Sequence, residues 1–248
     1  VRTTELGWPD NLSVTIRDAF QLTSAEIDIV RSLAEGRSVK AIAAGYGFSV
    51  ALRADGSVWG WGDNSYGQLG VAAANPQPTP IPIGGLTGVA QISAAESSIV
   101  ARKNDGTVWA IGANWYGQLG NGTTNDSNVP VQVTGLVNIV SIAAGGSHAL
   151  ALDGLGNISA WGANFLAQVG DGTTQSPRTT PVLVSTGSGA ALGAGSYHSL
   201  ATKIDGTTWG WGDNARYQTG VYNFGTVDSP ERTVHPASPT TIEVAGGY

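Results

Sequence analysis

The chain has 248 residues and contains no cysteine and no methionine. The lack of cysteine excludes disulfide bonds, thiolate metal sites and a cysteine nucleophile, and it leaves the cellular compartment open. Charged residues make up only 12% of the sequence, and the 18 acidic residues outnumber the 12 basic ones, so we expect no nucleic acid partner. No run of about 18 apolar residues occurs, and the first residues have no apolar signal region, so we predict no membrane partner.

Glycine is abundant, by contrast, with 36 residues, which is about twice its average share. Many glycines and few charges are typical of a chain with many tight turns and few solvent-exposed helices. Hydrophobic residues make up 41% of the chain, which is enough for a packed core. The composition therefore favours a mainly β fold.

A repeat with a period of 50 residues covers most of the sequence. The string SVWGWGDN recurs in related form at this interval, and a Gly-Gln-Leu-Gly motif or a variant follows each copy. Asp-Gly pairs between short apolar runs suit two-residue hairpin turns. Repeated tryptophans such as Trp109 and Trp209 are expected to pack between sheets. The period predicts a β-propeller-type array of four antiparallel blades over residues 41–248, with the start of a fifth unit at Val244.

The patterns AAG-x-x-HSLAL, DG-x-VW-x-WG-x-N and GQLG resemble the regulator-of-chromosome-condensation repeat family. His148 and His198 stand at the histidine of that pattern, whereas Phe48 and Ser98 replace it in the first two units. The resemblance implies a propeller that binds proteins through its loops, as in members that act in nuclear nucleotide exchange, light sensing or β-lactamase inhibition. Family members usually close seven blades. Four blades imply an incomplete ring, with one edge covered by the N-terminal helices, or a ring closed by oligomerisation, and we expect self-association through open blade edges.

Residues 1–40 lack the repeat and are predicted to form a separate N-terminal helical segment. Thr23 and Glu26 form a capping box, apolar residues follow at helical spacing, and Gly36 suits the end of the helix. Residues 20–43 also resemble the start of a LuxR-type helix-turn-helix, which implies a bacterial chain. No recognition helix follows, because the next residues belong to the propeller repeat. A fusion remnant is therefore one interpretation, and a truncated LuxR-like regulator is another.

Few residues suggest catalysis. His148 and His198 are equivalent positions on adjacent units, so they could form an acid–base or metal pair, or each could hold its own blade together as a repeated structural feature. Asp63 and Asp213 are also equivalent and would meet only in a small closed ring. A hydrolase that uses one of these histidines with a nearby residue such as Ser196 is our alternative function. We expect no metal and no cofactor, because no zinc, calcium or phosphate-binding motif is present.

Aromatic residues in the variable loops are the strongest sign of function. Equivalent loops of a propeller emerge on one face, and large aromatics at varied loop positions are typical of contact surfaces, although they could also pack on neighbouring blades. The leading prediction is a non-catalytic protein-binding scaffold that uses these loops. The candidate binding residues are Tyr46, Tyr66, Trp115, Tyr116, Phe165, Tyr197 and Tyr217.

Overall fold

The computed structural model describes residues 39–71, 73–185 and 187–233. Within them, sixteen strands form four sheets of four strands and there is no helix, which confirms the predicted mainly β array of four antiparallel blades. Each sheet is an antiparallel meander in which consecutive strands are neighbours. The first and second blades consist of β1 (Val39–Ala44), β2 (Phe48–Arg53), β3 (Val58–Gly62), β4 (Gln77–Pro82), β5 (Val89–Ala94), β6 (Ser98–Lys103), β7 (Val108–Gly112) and β8 (Ser127–Gln132). The third and fourth blades consist of β9 (Ile139–Ala144), β10 (His148–Asp153), β11 (Ile158–Gly162), β12 (Arg178–Ser185), β13 (Gly189–Ala194), β14 (His198–Lys203), β15 (Thr208–Asp213) and β16 (Thr226–Arg232).

The N-terminal helix predicted from Thr23 to Gly36 and the start of a fifth unit at Val244 lie outside the described residues. The helix-turn-helix resemblance is not borne out where it can be followed. Lys40 and Ile42, which it assigned to the motif, lie in β1 of the first blade, where Ile42 pairs with Ala51 of β2. The division of the chain at residue 40 stays a prediction.

The second and third blades are covered on both faces by their neighbours, so their strands place small or apolar residues on both faces. At least half of the residues in the second strand of each blade are buried, and in β2 every residue from Phe48 to Leu52 is buried. The first strands, β1, β5, β9 and β13, contact one another in sequence around the axis. Their many Ala, Ser and Gly residues let these backbones approach closely.

The hairpin between the second and third strands has the same geometry in all four blades. In the first blade the Gly56 N–H donates to the Arg53 carbonyl at 3.0 Å, and Gly56 has a φ of 79°. The turn therefore contains three residues, Ala54 to Gly56, rather than the two predicted, and only the glycine needs the left-handed conformation. Gly156 takes the same position in the third blade, with a φ of 82°.

Consecutive blades pack face to face through an apolar core at each junction. We call the face towards the preceding blade the leading face and the face towards the following blade the trailing face. At the first junction, Val50 and Leu52 from the trailing face of the first blade meet Ile92 and Ile99 from the leading face of the second. Within the described residues, the first and fourth blades are not packed on each other, and the four blades do not close a ring. The ends of the array are sheet faces, not the strand edges that the sequence led us to expect.

Candidate binding surface

Two sets of loops emerge at the same end of every blade, which we call the loop face. The antiparallel meander places the turn after the first strand and the loop after the third strand at this end. Contact between Phe165, in the loop after β11, and Tyr197, in the turn after β13, joins the two sets. All seven predicted binding residues lie in these loops and turns.

A buried asparagine shapes each loop after the third strand. Asn114 is fully buried; its Oδ1 accepts the Leu119 N–H at 2.9 Å, and its Nδ2 donates to the carbonyls of Thr123 and Asn125 at 3.0 Å. The other three blades use the equivalent asparagine to bond both sides of the loop, at Asn64, Asn164 and Asn214.

A glutamine then holds the tip of the loop. Gln118 Oε1 accepts the N–H of Tyr116 at 2.9 Å, which fixes the backbone that carries the ring. The same bond recurs from Tyr66 to Gln68, from Leu166 to Gln168 and from Arg216 to Gln218. Sequence reasoning treated these asparagines and glutamines as fold markers only. Their presence in all four repeats beside variable tips was the signal that they frame a variable surface.

The aromatic tips meet across each junction between blades. Tyr66 of the first blade lies edge-on to Trp115 of the second, with ring centroids 4.6 Å apart. Tyr116 of the second blade contacts Phe165 of the third at 5.6 Å, and Phe165 contacts Tyr197 of the fourth at 6.1 Å. Trp115 still exposes 51% of its surface. We call these five residues the aromatic band.

The remaining predicted residues lie beside the aromatic band. Tyr46 is 79% exposed and makes no ring contact with a described aromatic side chain. Tyr217 contacts Tyr222 and Phe224, at 6.3 and 6.2 Å, and all three are exposed. Sequence reasoning missed Tyr222 and Phe224, although the string YNF in the loop before β16 was visible. A cleft of about 450 Å³ opens beside Tyr66, between the loops of the first two blades.

The histidines do not form an accessible catalytic site. His148 Nε2 is 2.9 Å from Ser199 Oγ, a serine of the next blade, but both residues are buried and His148 Nδ1 has no hydrogen-bond partner. Burial, with a smaller contribution from His198, lowers the pKa of His148 to about 3. No hydrogen bond joins His198 to Ser196. A substrate cannot reach the buried pair, so this geometry does not favour the hydrolase.

Asp63 and Asp213 also do not meet, because they belong to the first and fourth blades. Asp63 accepts hydrogen bonds from the Ser65 hydroxyl and from Gln68 Nε2, at 2.6 and 2.9 Å. Burial raises its pKa, but these bonds outweigh burial and hold the pKa below the ordinary value. Asp213 pairs in the same way with Gln218 Nε2, at 2.8 Å. Both carboxylates therefore act as loop-stabilising residues.

The described residues contain no group of three or more histidine, aspartate or glutamate side chains that could hold a metal ion. In that same part of the chain, no helix has the length and apolar character needed to cross a membrane.

The repeats, the four-stranded blades and the loop frame define a propeller of the chromosome-condensation type. One model of the regulator of chromosome condensation (RCC1) repeat matches residues 55–101 and 105–152. A second model of this repeat matches residues 39–68 and 139–168. Together these matches cover just over half of the chain. The chain belongs to the RCC1 repeat family. No curated protein sequence matches it significantly.

Solved structures with this fold are similar to the chain over most of its length. Human WBSCR16 is 25% identical, with a TM-score of 0.76 over 85% of this chain and 56% of that one. Yeast RCC1 (Prp20), solved with Kap60 bound, is 24% identical, with a TM-score of 0.74 over 89% of this chain and 54% of that one. Prp20p from Saccharomyces cerevisiae, described with its binding to Gsp1p and histones, is 23% identical, with a TM-score of 0.70 over 84% of this chain and 54% of that one. The chain thus spans little more than half the length of these proteins.

Proposed function

We propose that this chain is a non-catalytic protein-binding scaffold and that the aromatic band is its contact surface. One observation carries the proposal: large rings from consecutive blades contact one another across every junction and remain partly exposed. Aromatic side chains of this kind are the residues most often found at the energetic centre of protein interfaces.

The loop frame supports the same function. Each aromatic tip stands on a loop whose backbone is held by a buried asparagine and a glutamine, as in the second blade with Asn114 and Gln118. A partner that binds such a preformed surface loses less conformational entropy than one that must first order a flexible loop. The constant frame and variable tips suit a surface that has been adapted to one partner.

A protein suits this surface better than a nucleic acid. Among the described loop-face residues, carboxylates outnumber guanidinium groups, and the Arg178 guanidinium is already paired with Asp171. A phosphate backbone would meet a net negative face. The loop-face carboxylates belong to Asp63, Glu96, Asp126, Asp171 and Asp213, and the guanidinium groups belong to Arg178 and Arg216. We propose no membrane partner and no cofactor for this surface.

The similar proteins add general support. The yeast relative was solved with Kap60 bound and is described as binding Gsp1p and histones, so this propeller type serves protein recognition in other chains. Those partners belong to those proteins, and none is assigned to this one.

A phage-displayed peptide library panned against the purified protein would test the proposal. We expect enriched peptides to lose about 30-fold in affinity when Trp115 or Phe165 is changed to alanine, which corresponds to about 2 kcal/mol at a hot spot. The melting temperature should change little, because both rings are half-exposed.

Ile204→Ala is the matched control, because Ile204 is an exposed apolar residue in the hairpin at the opposite end of the fourth blade. Peptide binding should be the same for this variant and the original protein. Peptides that bind the Trp115→Ala and Phe165→Ala variants as tightly as the original would contradict the contact surface.

A further inference from the structure

The cleft beside Tyr66 lies between the loops of the first and second blades and has walls of two kinds. Tyr66 and Val71 of the first blade give it apolar surface, and Asp126 and Asn128 of the second blade give it polar groups. All four residues are at least partly exposed. The cleft volume of about 450 Å³ is within the range of ligand pockets, about 300–1,000 Å³, so the cleft has room for a long side chain of a partner.

Tyr66 is held in place on the wall of this cleft. Its ring meets the ring of Trp115 at an interplanar angle of 89°, with centroids 4.6 Å apart. Rings in this T-shaped arrangement leave at least one face of each ring uncovered by the other. The backbone of Tyr66 is fixed as well, because its N–H donates to Gln68 Oε1 at 3.0 Å. A ligand that stacks on the Tyr66 ring therefore meets a preformed surface.

Asp126 carries a charge that its role in the loop does not require. Its Oδ1 accepts the backbone N–H of Asn114 at 2.7 Å. The other three blades make the equivalent bond with neutral acceptors, at 2.6 to 3.0 Å: the side-chain oxygens of Asn75 and Ser176 and the carbonyl of Gly225. The fold therefore needs only an acceptor at this position, and of the four blades only the second supplies a negative charge.

No cation of the described chain neutralises Asp126. In the third blade, Arg178 pairs with Asp171 beside the equivalent loop. The second blade has Ser127 and Asn121 at these two positions, so it lacks both partners of that ion pair. The hydrogen bond within the loop uses only one of the two carboxylate oxygens of Asp126. Its negative charge is therefore available to a ligand.

The described basic residues lie mainly at the opposite end of the blades. On the loop face, Arg178 is already paired, and Arg216 belongs to the fourth blade, away from the cleft. A positively charged partner would thus meet little repulsion from the described part of the loop face. Six of the eight described basic residues are at the hairpin end, namely Lys40, Arg53, Arg102, Lys103, Lys203 and Arg232.

We propose that this cleft binds an arginine side chain of the partner protein. The guanidinium group pairs with Asp126 and stacks on the Tyr66 ring, and the methylene groups of the arginine lie against Val71. Tyr66 belongs to both the cleft and the aromatic band, so one partner can contact both at once. The proposal rests on the protein-binding function and adds the chemistry of the partner, which is a basic segment that presents an arginine to the loop face.

Arginine fits the cleft better than lysine does. A guanidinium group is planar and weakly hydrated, so it can stack on an aromatic ring while its N–H groups donate to a carboxylate. An ammonium group is compact and strongly hydrated, and it has no plane to stack. The cleft should therefore distinguish the two side chains, although both carry one positive charge.

Fluorescence anisotropy of the full chain with labelled peptides of six arginines, six lysines or six glutamates tests the proposal. We expect the arginine peptide to bind most tightly and the glutamate peptide not to bind. Asp126→Asn should weaken binding of the arginine peptide about tenfold. Asparagine removes the charge but keeps an oxygen for the Asn114 N–H, as Asn75 does for the equivalent N–H of the first blade.

Asp228→Asn is the matched control for Asp126→Asn. Asp228 is exposed in β16 of the fourth blade, so this variant removes the same charge away from the cleft. It should change the affinity for the arginine peptide less than about twofold, because an exposed charge is screened by solvent.

Asn128→Arg is a second cleft variant, and it leaves Asp126 unchanged. Asn128 is exposed at the cleft, so an arginine there supplies a cation of the chain itself and should also weaken binding of the arginine peptide. An arginine peptide that fails to bind, or that binds no more tightly than the lysine peptide, would overturn the proposal. Equal affinity for the original protein and both cleft variants would overturn it too, as would an equal loss in Asp126→Asn and Asp228→Asn.

The peptides panned from the phage library separate this proposal from the protein-binding function. Phe165 does not line the cleft, so Phe165→Ala tests the aromatic band, whereas Asp126→Asn tests the cleft. Panned peptides that depend on Phe165 but bind Asp126→Asn as tightly as the original protein would overturn the arginine site and leave the protein-binding function standing. Panned peptides that are indifferent to Phe165→Ala would contradict the aromatic band, and the arginine peptide would still decide whether the cleft binds a guanidinium group.

Discussion

The two tryptophans of the fourth blade lie two residues apart in β15, yet they have different surroundings. Trp211 is fully buried in the junction, where its N–H donates to the Gln168 carbonyl of the preceding blade. Trp209 is half-buried near the hairpin, where its N–H donates to the Thr207 hydroxyl and Lys203 Nζ lies 3.7 Å from the ring. Trp211 therefore packs between blades, whereas Trp209 covers the end of its own blade. The expectation that Trp109 and Trp209 would be core residues was only partly met.

The largest expected effect comes from truncating the junction tryptophan. Trp211→Ala should lower the free energy of unfolding by about 3–5 kcal/mol, because it leaves a large cavity in a core that relaxes only in part. Trp209→Ala should cost about 1–2 kcal/mol, since solvent already reaches its ring. Urea unfolding monitored by circular dichroism measures both. Equal losses for the two variants would show that the contrast between junction and hairpin is wrong.

The third blade shows how much more freely the hairpin end can change. Asp153 stands where Arg53, Lys103 and Lys203 stand in the other blades, and Ser159 stands in place of the tryptophan. Asp153 accepts the Asn157 side chain at 2.7 Å, while the turn keeps its geometry. Hydrogen bonds from Asn157, Leu155 and Gly156 outweigh the effect of burial and hold the pKa of Asp153 below the ordinary value. At the hairpin end, which is close to solvent, the pair of a cation and an indole ring can thus be replaced by a hydrogen bond between two polar side chains.

His148 lies in the junction between the third and fourth blades, and its burial there predicts an effect of pH on stability. Its folded pKa of about 3 lies below the ordinary value of 6.5 because burial disfavours the charged ring. As the pH falls from 6.5 towards 3, the unfolded chain binds a proton that the folded chain refuses, so stability falls by about 1.4 kcal/mol per pH unit. Above about pH 6.5 the His148 ring is neutral in both the folded and the unfolded chain, so it no longer makes the stability depend on pH.

His148→Phe is the variant for this test, since Phe48 stands at the equivalent position of the first blade. Urea unfolding at several pH values should show that the variant lacks this part of the acid sensitivity. His198→Phe serves as the comparison, because His198 is only half-buried, so the change in slope should be smaller. Identical slopes for the original protein and His148→Phe would mean that His148 titrates normally in the folded state.

The sequence predicted the blades because the 50-residue period, the hairpin glycines and the apolar second strands are local signals. It placed the candidate binding residues in loops for the same reason, and those loops lie at one end of the blades. It could not predict which rings meet, because the contact of Tyr116 with Phe165 depends on how two blades pack. It also could not separate Trp209 from Trp211. Both are tryptophans of one strand face, and only the neighbouring blade distinguishes them.

The hairpin side of the comparison predicts the smallest effect. A double-mutant cycle with Lys203→Ala and Trp209→Ala should give a coupling of about 0.5–1 kcal/mol, because an ammonium group over an indole face is attracted to it but remains partly hydrated. The coupling should weaken in high salt, since solvent screens a partly exposed charge. Lys103→Ala combined with Trp209→Ala is the matched control. Lys103 and Trp109 both belong to the second blade, where Lys103 Nζ lies 4.3 Å from the centroid of the Trp109 ring. Lys103 and Trp209 should therefore show no coupling. Thermal unfolding of the four proteins of each cycle provides the values. An equally large coupling in the control cycle would mean that Trp209 affects stability through the whole array of blades. The hairpin end of a blade would then not vary independently of the other blades, as the changes in the third blade suggest that it does.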